Sequence, residues 1–193
     1  MYTNGDGFAN SSGAYRLTDA QQALLRSSPP IIDIVGEVNK PMFHYVRSAI
    51  MYLRSQGCPD VEIYISSPGG DVESGLDVYD LIRLYPGKKR AIIHDQAASM
   101  GAMILQAADE RQCAEHSAVL IHHISRNQVS LDTLDSEKRT KEMRDEMRKR
   151  QQRLYKILAA RTGKTVNEIR QACRKDQFMD AEAALEFGLI DDI

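Results

Sequence analysis

What most constrains this chain is a repeated switch between two hydrophobic periods. Ile31 to Val35 is a short β-rich run, and Gly36 ends it. Asn39 is a helix-capping residue and Pro41 suits a first turn; Phe43, Val46, Ile50 and Leu53 then recur at helical spacing until Gly57. Val61 to Ile65 predicts a second strand and Ser67-Pro68-Gly69-Gly70 a tight turn. A helix is expected from Val72 to about Leu84, burying Leu76, Val78, Leu81 and Leu84, with Pro86-Gly87 as its breaker. Arg90 to His94 and Ala118 to His122 read as further strands, and Ser99 to Ala108 as a helix apolar nearly all round. Strands that alternate with helices favour an α/β domain with a largely parallel sheet.

The second half changes character. From about Leu131 to Ala160 the pattern predicts one long charged helix with sparse apolar anchors, too polar to be packed wholly within its own domain. Thr165-Val166-Asn167-Glu168 is a capping box, and Asp180 to Gly188 brackets a last short helix.

Composition excludes several classes. With 27 acidic against 25 basic residues, the chain lacks the basic face that nucleic-acid phosphates require. No apolar run approaches the roughly 18–20 residues of a membrane-spanning helix. Residues 1–13, rich in Gly, Asn and Ser, have no basic region followed by an apolar core; they read as a flexible leader and not a secretory signal. Cys58, Cys113 and Cys173 are widely spaced and odd in number, which suits reduced thiols and neither a disulfide framework nor a metal site.

Two segments can carry chemistry. In Ala97-Ala98-Ser99-Met100-Gly101-Ala102 a serine follows a strand and opens an apolar helix, where free amides favour a developing negative charge. A helix-capping serine would look the same. Ser67-Pro68-Gly69-Gly70-Asp71 also joins a strand to a helix, and its glycines leave amides unshielded, as an oxyanion hole needs. Asp71 could simply cap the next helix, and no lysine follows at phosphate-loop spacing. A base is still required. His44 sits on an amphipathic helix and His116 in a polar loop. His94 stands just before Ser99, and His122 and His123 end a strand on opposite faces, so at most one of the last two can face the serine. Among 27 acidic residues, residue types alone select no third member.

These segments resemble the proteolytic subunit family of Clp protease. Residues 65–72 (Ile-Ser-Ser-Pro-Gly-Gly-Asp-Val) look like its oxyanion turn, residues 97–102 like its nucleophile motif, Val119-Leu-Ile-His122 like its histidine strand, and residues 175–191 like the segment bearing its aspartate. The similarity is collinear from about Ala14 to Ile193. It implies a single domain over 14–193 with a crotonase-like spiral of ββα units and a projecting handle helix within about 124–161. Ser99 would be the nucleophile, His122 the base and Asp176 the orienting acid, with the backbone amides of Gly70 and Met100 as oxyanion hole. It implies no metal or cofactor, and a cytoplasmic serine endopeptidase acting on unfolded polypeptide. It implies a homo-oligomer of heptameric rings stacked as a tetradecamer, fed by an AAA+ unfoldase, with no nucleic-acid or membrane partner.

The chain departs from the family pattern in places. His123-Ile124 stands where Gln-Pro is usual, and Ser125 to Leu131 lacks the usual glycines. Arg174 and Lys175 replace an acid and an arginine. Tyr64 fits the family's aromatic outer pocket, while Glu62 and Cys113 occupy aromatic positions. Three other readings compete. An acyl-CoA enzyme of the same spiral would not need the three triad residues together. A serine–lysine peptidase would need a lysine near Ser99, and a regulatory subunit tends to lose triad members.

Overall fold

The switching periods reappear as successive βα units in a computed structural model that describes residues 15–125 and 129–193. The expected leader lies outside the described residues. The described chain falls into two compact units, residues 15–120 with 178–193, and residues 121–177.

In the first unit α1 (Asp19–Leu25) precedes β1 (Ile31–Val38), α2 (Lys40–Ser55), β2 (Val61–Gly70), α3 (Val72–Arg83), β3 (Lys89–Ala98), α4 (Met100–Leu105), β4 (Glu110–Cys113), β5 (Ala118–Leu120) and, after the second unit, α8 (Ala181–Phe187). The sheet runs β1-β2-β3-β4 in parallel, and β5 pairs with β3 further along, through Gln96 to Ala98. Burial alternates along β1 and β2: Ile32, Ile34, Val61, Ile63 and Ile65 are buried, while Asp33, Glu62 and Tyr64 point the other way. A parallel sheet covered on both faces would be apolar on both. Here the outer face is polar. Tyr64 donates to Glu62 at 3.0 Å and meets His94 edge-on at 4.9 Å. Cys113 is buried on the inner face, so Gln112, which accepts from Arg90, completes the outer one.

Several expectations are corrected. The Ser67 to Gly70 segment is not a tight turn: β2 continues through it, because Glu37 and Val38 pair with Gly69 and Gly70 beyond a bulge. The fourth expected strand stops at Leu120, so neither His122 nor His123 is a strand residue. His94 lies inside β3, not at its end. Helix α4 is shorter than Ser99 to Ala108. Of the expected buried side of α3, Val78 is buried but Leu84 is 70% exposed; Ser74, Gly75 and Ile82 are buried beside Val78. Helix α1, at seven residues, and strand β4, at four, are too short to show a period.

Buried charges tie the first unit together. Arg111 is 5% exposed and holds the Asp191 carboxylate, while its Nη1 donates to Gln106 Oε1 (2.6 Å) and to the Gly188 carbonyl (3.0 Å). Gln106 caps the C-terminus of α4, so this network anchors that helix to the C-terminal segment. Lys89 Nζ lies 2.8 Å from Asp109 and also donates to the Tyr85 and Gly87 carbonyls. Burial works against the Asp109 carboxylate, but hydrogen bonds and charge from Lys89 outweigh it and hold its pKa below the usual 3.8. A depressed folded-state pKa contributes stability that is full above 3.8 and is lost as pH falls below it. Asp109→Asn is therefore expected to cost about 1–2 kcal/mol near neutral pH, discounted because the carboxylate is half open to solvent. The difference from wild type should shrink as pH falls below 3.8 in a thermal unfolding series. A difference constant with pH would refute the ionic contribution.

The second unit holds α5 (Leu131–Leu134), α6 (Glu137–Thr162) and α7 (Val166–Lys175). The single helix expected from Leu131 to Ala160 is broken at Asp135-Ser136. Ser136 takes an extended conformation, and its hydroxyl accepts from the Arg139 amide, opening α6 afresh. The buried residues of α6 are Leu154, Tyr155 and Leu158, all in its C-terminal third; the helix packs on α7, whose own buried residues are Ile169 and Cys173. Its first half carries exposed ion pairs such as Lys138–Glu142. The Thr165–Glu168 capping box is formed as expected. No helix among the described residues is long and apolar enough to cross a membrane.

Candidate active site

Ser99 sits between β3 and α4, and the sequence forces it into an unusual conformation. Its amide donates to the Leu120 carbonyl at 2.9 Å, keeping it in the β3–β5 ladder, while Met100 already begins the helix. The residue resolves the two demands with φ 53° and ψ −118°. For a residue with a Cβ this region costs about 1–3 kcal/mol and persists only where the surroundings impose it. Although Ser99 occupies the cap position of α4, its hydroxyl makes no cap hydrogen bond. The simple capping role that the sequence left open is therefore not what this serine does.

The Ser67 to Gly70 segment lies directly against it. A Cβ on Gly69 would stand 2.5 Å from Ser99 Cβ, 2.8 Å from the Ala98 oxygen and 2.9 Å from the Met100 nitrogen. Gly69 also has φ 91°. The glycine is thus required both for its backbone angle and for space beside the first amides of α4, which have no partner within the helix. Gly70 is required on the other side: a Cβ there would be 2.3 Å from the Val38 oxygen. Ser67 fixes the pair. Its buried hydroxyl donates to the Gly36 carbonyl at 2.7 Å and accepts the Gly69 amide at 3.1 Å. Gly101 packs on Ser67, and Gly75 of α3 packs on Met100, so β2, α3 and α4 approach closely here. Asp71 caps α3 by accepting from the Ser74 amide at 2.7 Å.

His122 and Asp176 both belong to the second unit. His122 follows Ile121 in a stretch without regular structure. Asp176 ends α7 in the left-handed conformation, φ 48° and ψ 47°, which aspartate tolerates better than most residues. Their closest atoms, Nδ1 of His122 and Oδ1 of Asp176, are 3.9 Å apart, within ion-pair range but beyond a hydrogen bond. The imidazole is half-buried, while the carboxylate is 69% exposed. The two buried thiols do not compete for the nucleophile's role: burial pushes both Cys113 and Cys173 up to about 11.

The Ser99 segment is strained, and the Ser67 to Gly70 segment packs closely against it. A model of the family described as Clp protease matches residues 11–193. This chain belongs to the Clp protease family. Membership in the Clp protease family implies a serine-type peptidase, and the parallel α/β sheet agrees with that fold.

Sequence reasoning missed two contacts in this region. Gly69, not Gly70, stands against Ser99, and the Ser67 hydroxyl holds the Gly69 amide. The doubled glycine was the available signal for Gly69. For Ser67 there was none, because its partner Gly36 is distant along the chain and comes close only through the β1–β2 pairing.

Proposed function

We propose that this chain is a serine endopeptidase in which Ser99 attacks a peptide carbonyl while His122 takes its proton. Asp176 orients the imidazole and stabilises the imidazolium. The tetrahedral oxyanion would rest on the amides of Gly70 and Met100. The observation that carries the reading is the strained Ser99, whose hydroxyl is not spent on capping its helix. The glycines support it: the Gly69 amide is taken by Ser67, which leaves the oxyanion role to the Gly70 amide of that pair. His122 would then return that proton to the departing amine as the C–N bond breaks, and water activated by the same, again neutral, histidine would release the acyl-enzyme.

The 3.9 Å between His122 and Asp176 must close by about 1 Å before the histidine is held as a triad requires. We take assembly into heptameric rings, paired as a tetradecamer, to be the step that closes it. The substrate would be unfolded polypeptide delivered by an AAA+ unfoldase, in the cytoplasm, with ATP consumed by that partner and no cofactor bound here.

The direct test is labelling with a serine-reactive fluorophosphonate, followed by peptide mapping and by hydrolysis of a short fluorogenic peptide. The adduct is expected on Ser99 alone, with loss of hydrolysis in proportion. A label on another residue, or full hydrolysis after labelling, would refute the assignment. Asp176→Asn is expected to lower kcat roughly 10²-fold with KM little changed, the lower end of general-base effects because the carboxylate is exposed. An unchanged kcat would remove Asp176 from the mechanism.

A further inference from the structure

Beyond Leu120 the chain leaves the sheet, and residues 121–125 have no ladder to satisfy their backbone groups. One turn of α6 takes over that task. Gln151 Oε1 accepts the Ile124 amide at 2.6 Å. Four residues on, Tyr155 meets the His123 ring at 6.0 Å, edge to face at 69°. Residues i and i+4 share a helix face, so one face of α6 grips the two residues that follow His122. The Nε2 of His123 is buried and makes no hydrogen bond, so packing on Tyr155, not polar pairing, holds that ring.

The same tyrosine also reaches the acid's helix. The Arg170 guanidinium lies 5.8 Å from the Tyr155 ring centre, and Arg170 is on α7, which ends at Asp176. Tyr155 is itself 5% exposed, so it has little freedom to move away from either neighbour. The base segment and the acid's helix are thus referred to a single turn of α6. A shift of that turn would change the His122–Asp176 separation, which already stands at 3.9 Å.

We infer that Gln151 and Tyr155 are positioning residues for the His122–Asp176 pair, with His123 as the side chain through which Tyr155 acts. The inference rests on the proposed peptidase mechanism. Gln151 touches no reacting atom; it fixes the backbone that carries the base. A misplacement of about 1 Å by a residue remote from the chemistry can cost about 10²-fold in rate.

The test uses the full chain and a short fluorogenic peptide, with particle size and thermal unfolding measured on the same samples. Gln151→Met removes the acceptor and keeps the volume; Gln151→Glu keeps an acceptor. Gln151→Met is expected to lower kcat roughly 10–100-fold with KM within about 2-fold, and Gln151→Glu to restore most of that loss. In an Asp176→Ala background Gln151→Met should cost less than about 2-fold, because the pair it positions is already gone. Equal losses in both backgrounds, no loss at all, or Gln151→Glu as poor as Gln151→Met would overturn the inference. If Gln151→Met does not assemble, His123→Leu, at a half-buried position, is judged by the same criteria. Hydrolysis that survives Ser99→Ala would sink the peptidase reading and this inference with it. Loss in Ser99→Ala beside a fully active Gln151→Met would sink the inference alone.

Discussion

Ser99→Ala is expected to lower kcat for a fluorogenic peptide by about 10⁶, to the uncatalysed background, while leaving particle size and thermal midpoint close to wild type. The large kinetic effect follows from the nucleophile's role. The small structural effect follows from the hydroxyl, which makes no cap bond and so leaves little behind when removed. Ser99→Gly sharpens the point. With no Cβ, glycine accepts φ 53° and ψ −118° at low cost, so Ser99→Gly should be inactive yet more stable than Ser99→Ala by about 1 kcal/mol. Hydrolysis undiminished in Ser99→Ala would refute the mechanism. A large drop in thermal midpoint would show instead that the serine has a structural task.

Gly69→Ala should show the second largest effect, and on both readouts. The new methyl would meet Ser99 Cβ at 2.5 Å, with the Ala98 oxygen and the Met100 nitrogen under 3 Å away. Two of these are backbone atoms of the segment that opens α4, so they cannot swing aside. Overpacking together with an unfavourable φ is expected to cost about 2–4 kcal/mol. Displacing the Met100 amide by a few tenths of an ångström should lower kcat roughly 10²–10³-fold, the scale of losing one oxyanion donor. Gly163→Ala serves as control. Gly163 has φ 70°, but no atom lies within 4 Å of the added methyl, so that substitution should cost only about 1 kcal/mol. If Gly69→Ala behaves like Gly163→Ala, the close approach to Ser99 is not structurally important. Urea titration of both variants beside peptide kinetics separates the two outcomes.

Local signals were legible where one residue type does one local job. Asn39, Asp71, Thr165 and Asp180 cap helices as their positions suggest, each by accepting an amide three residues on. The paired glycines marked the place where backbone must come close to the nucleophile. Apolar periodicity located β1, α2, α3 and the core of β3 because those elements bury one face against many neighbours.

What stayed hidden depends on partners distant in the chain. The continuation of β2 through Ser67 to Gly70 is decided by pairing with Glu37 and Val38, and a Pro-Gly-Gly run taken locally reads as a turn. The early end of β5 was masked because Ile121 and His122 extend its apolar pattern without a strand to pair with. The buried Arg111–Asp191 clamp joins residues 80 apart.

The sequence by itself determined the family, the alternating α/β plan and the segments in which Ser99, His122 and Asp176 lie, because these follow from residue type, period and motif order. Only the tertiary structure decided that Ser99 is strained and unspent as a cap, that Gly69 stands against it, and that one turn of α6 grips the residues after His122. Those facts are distances between groups far apart in the chain, and packing, not local propensity, sets such distances.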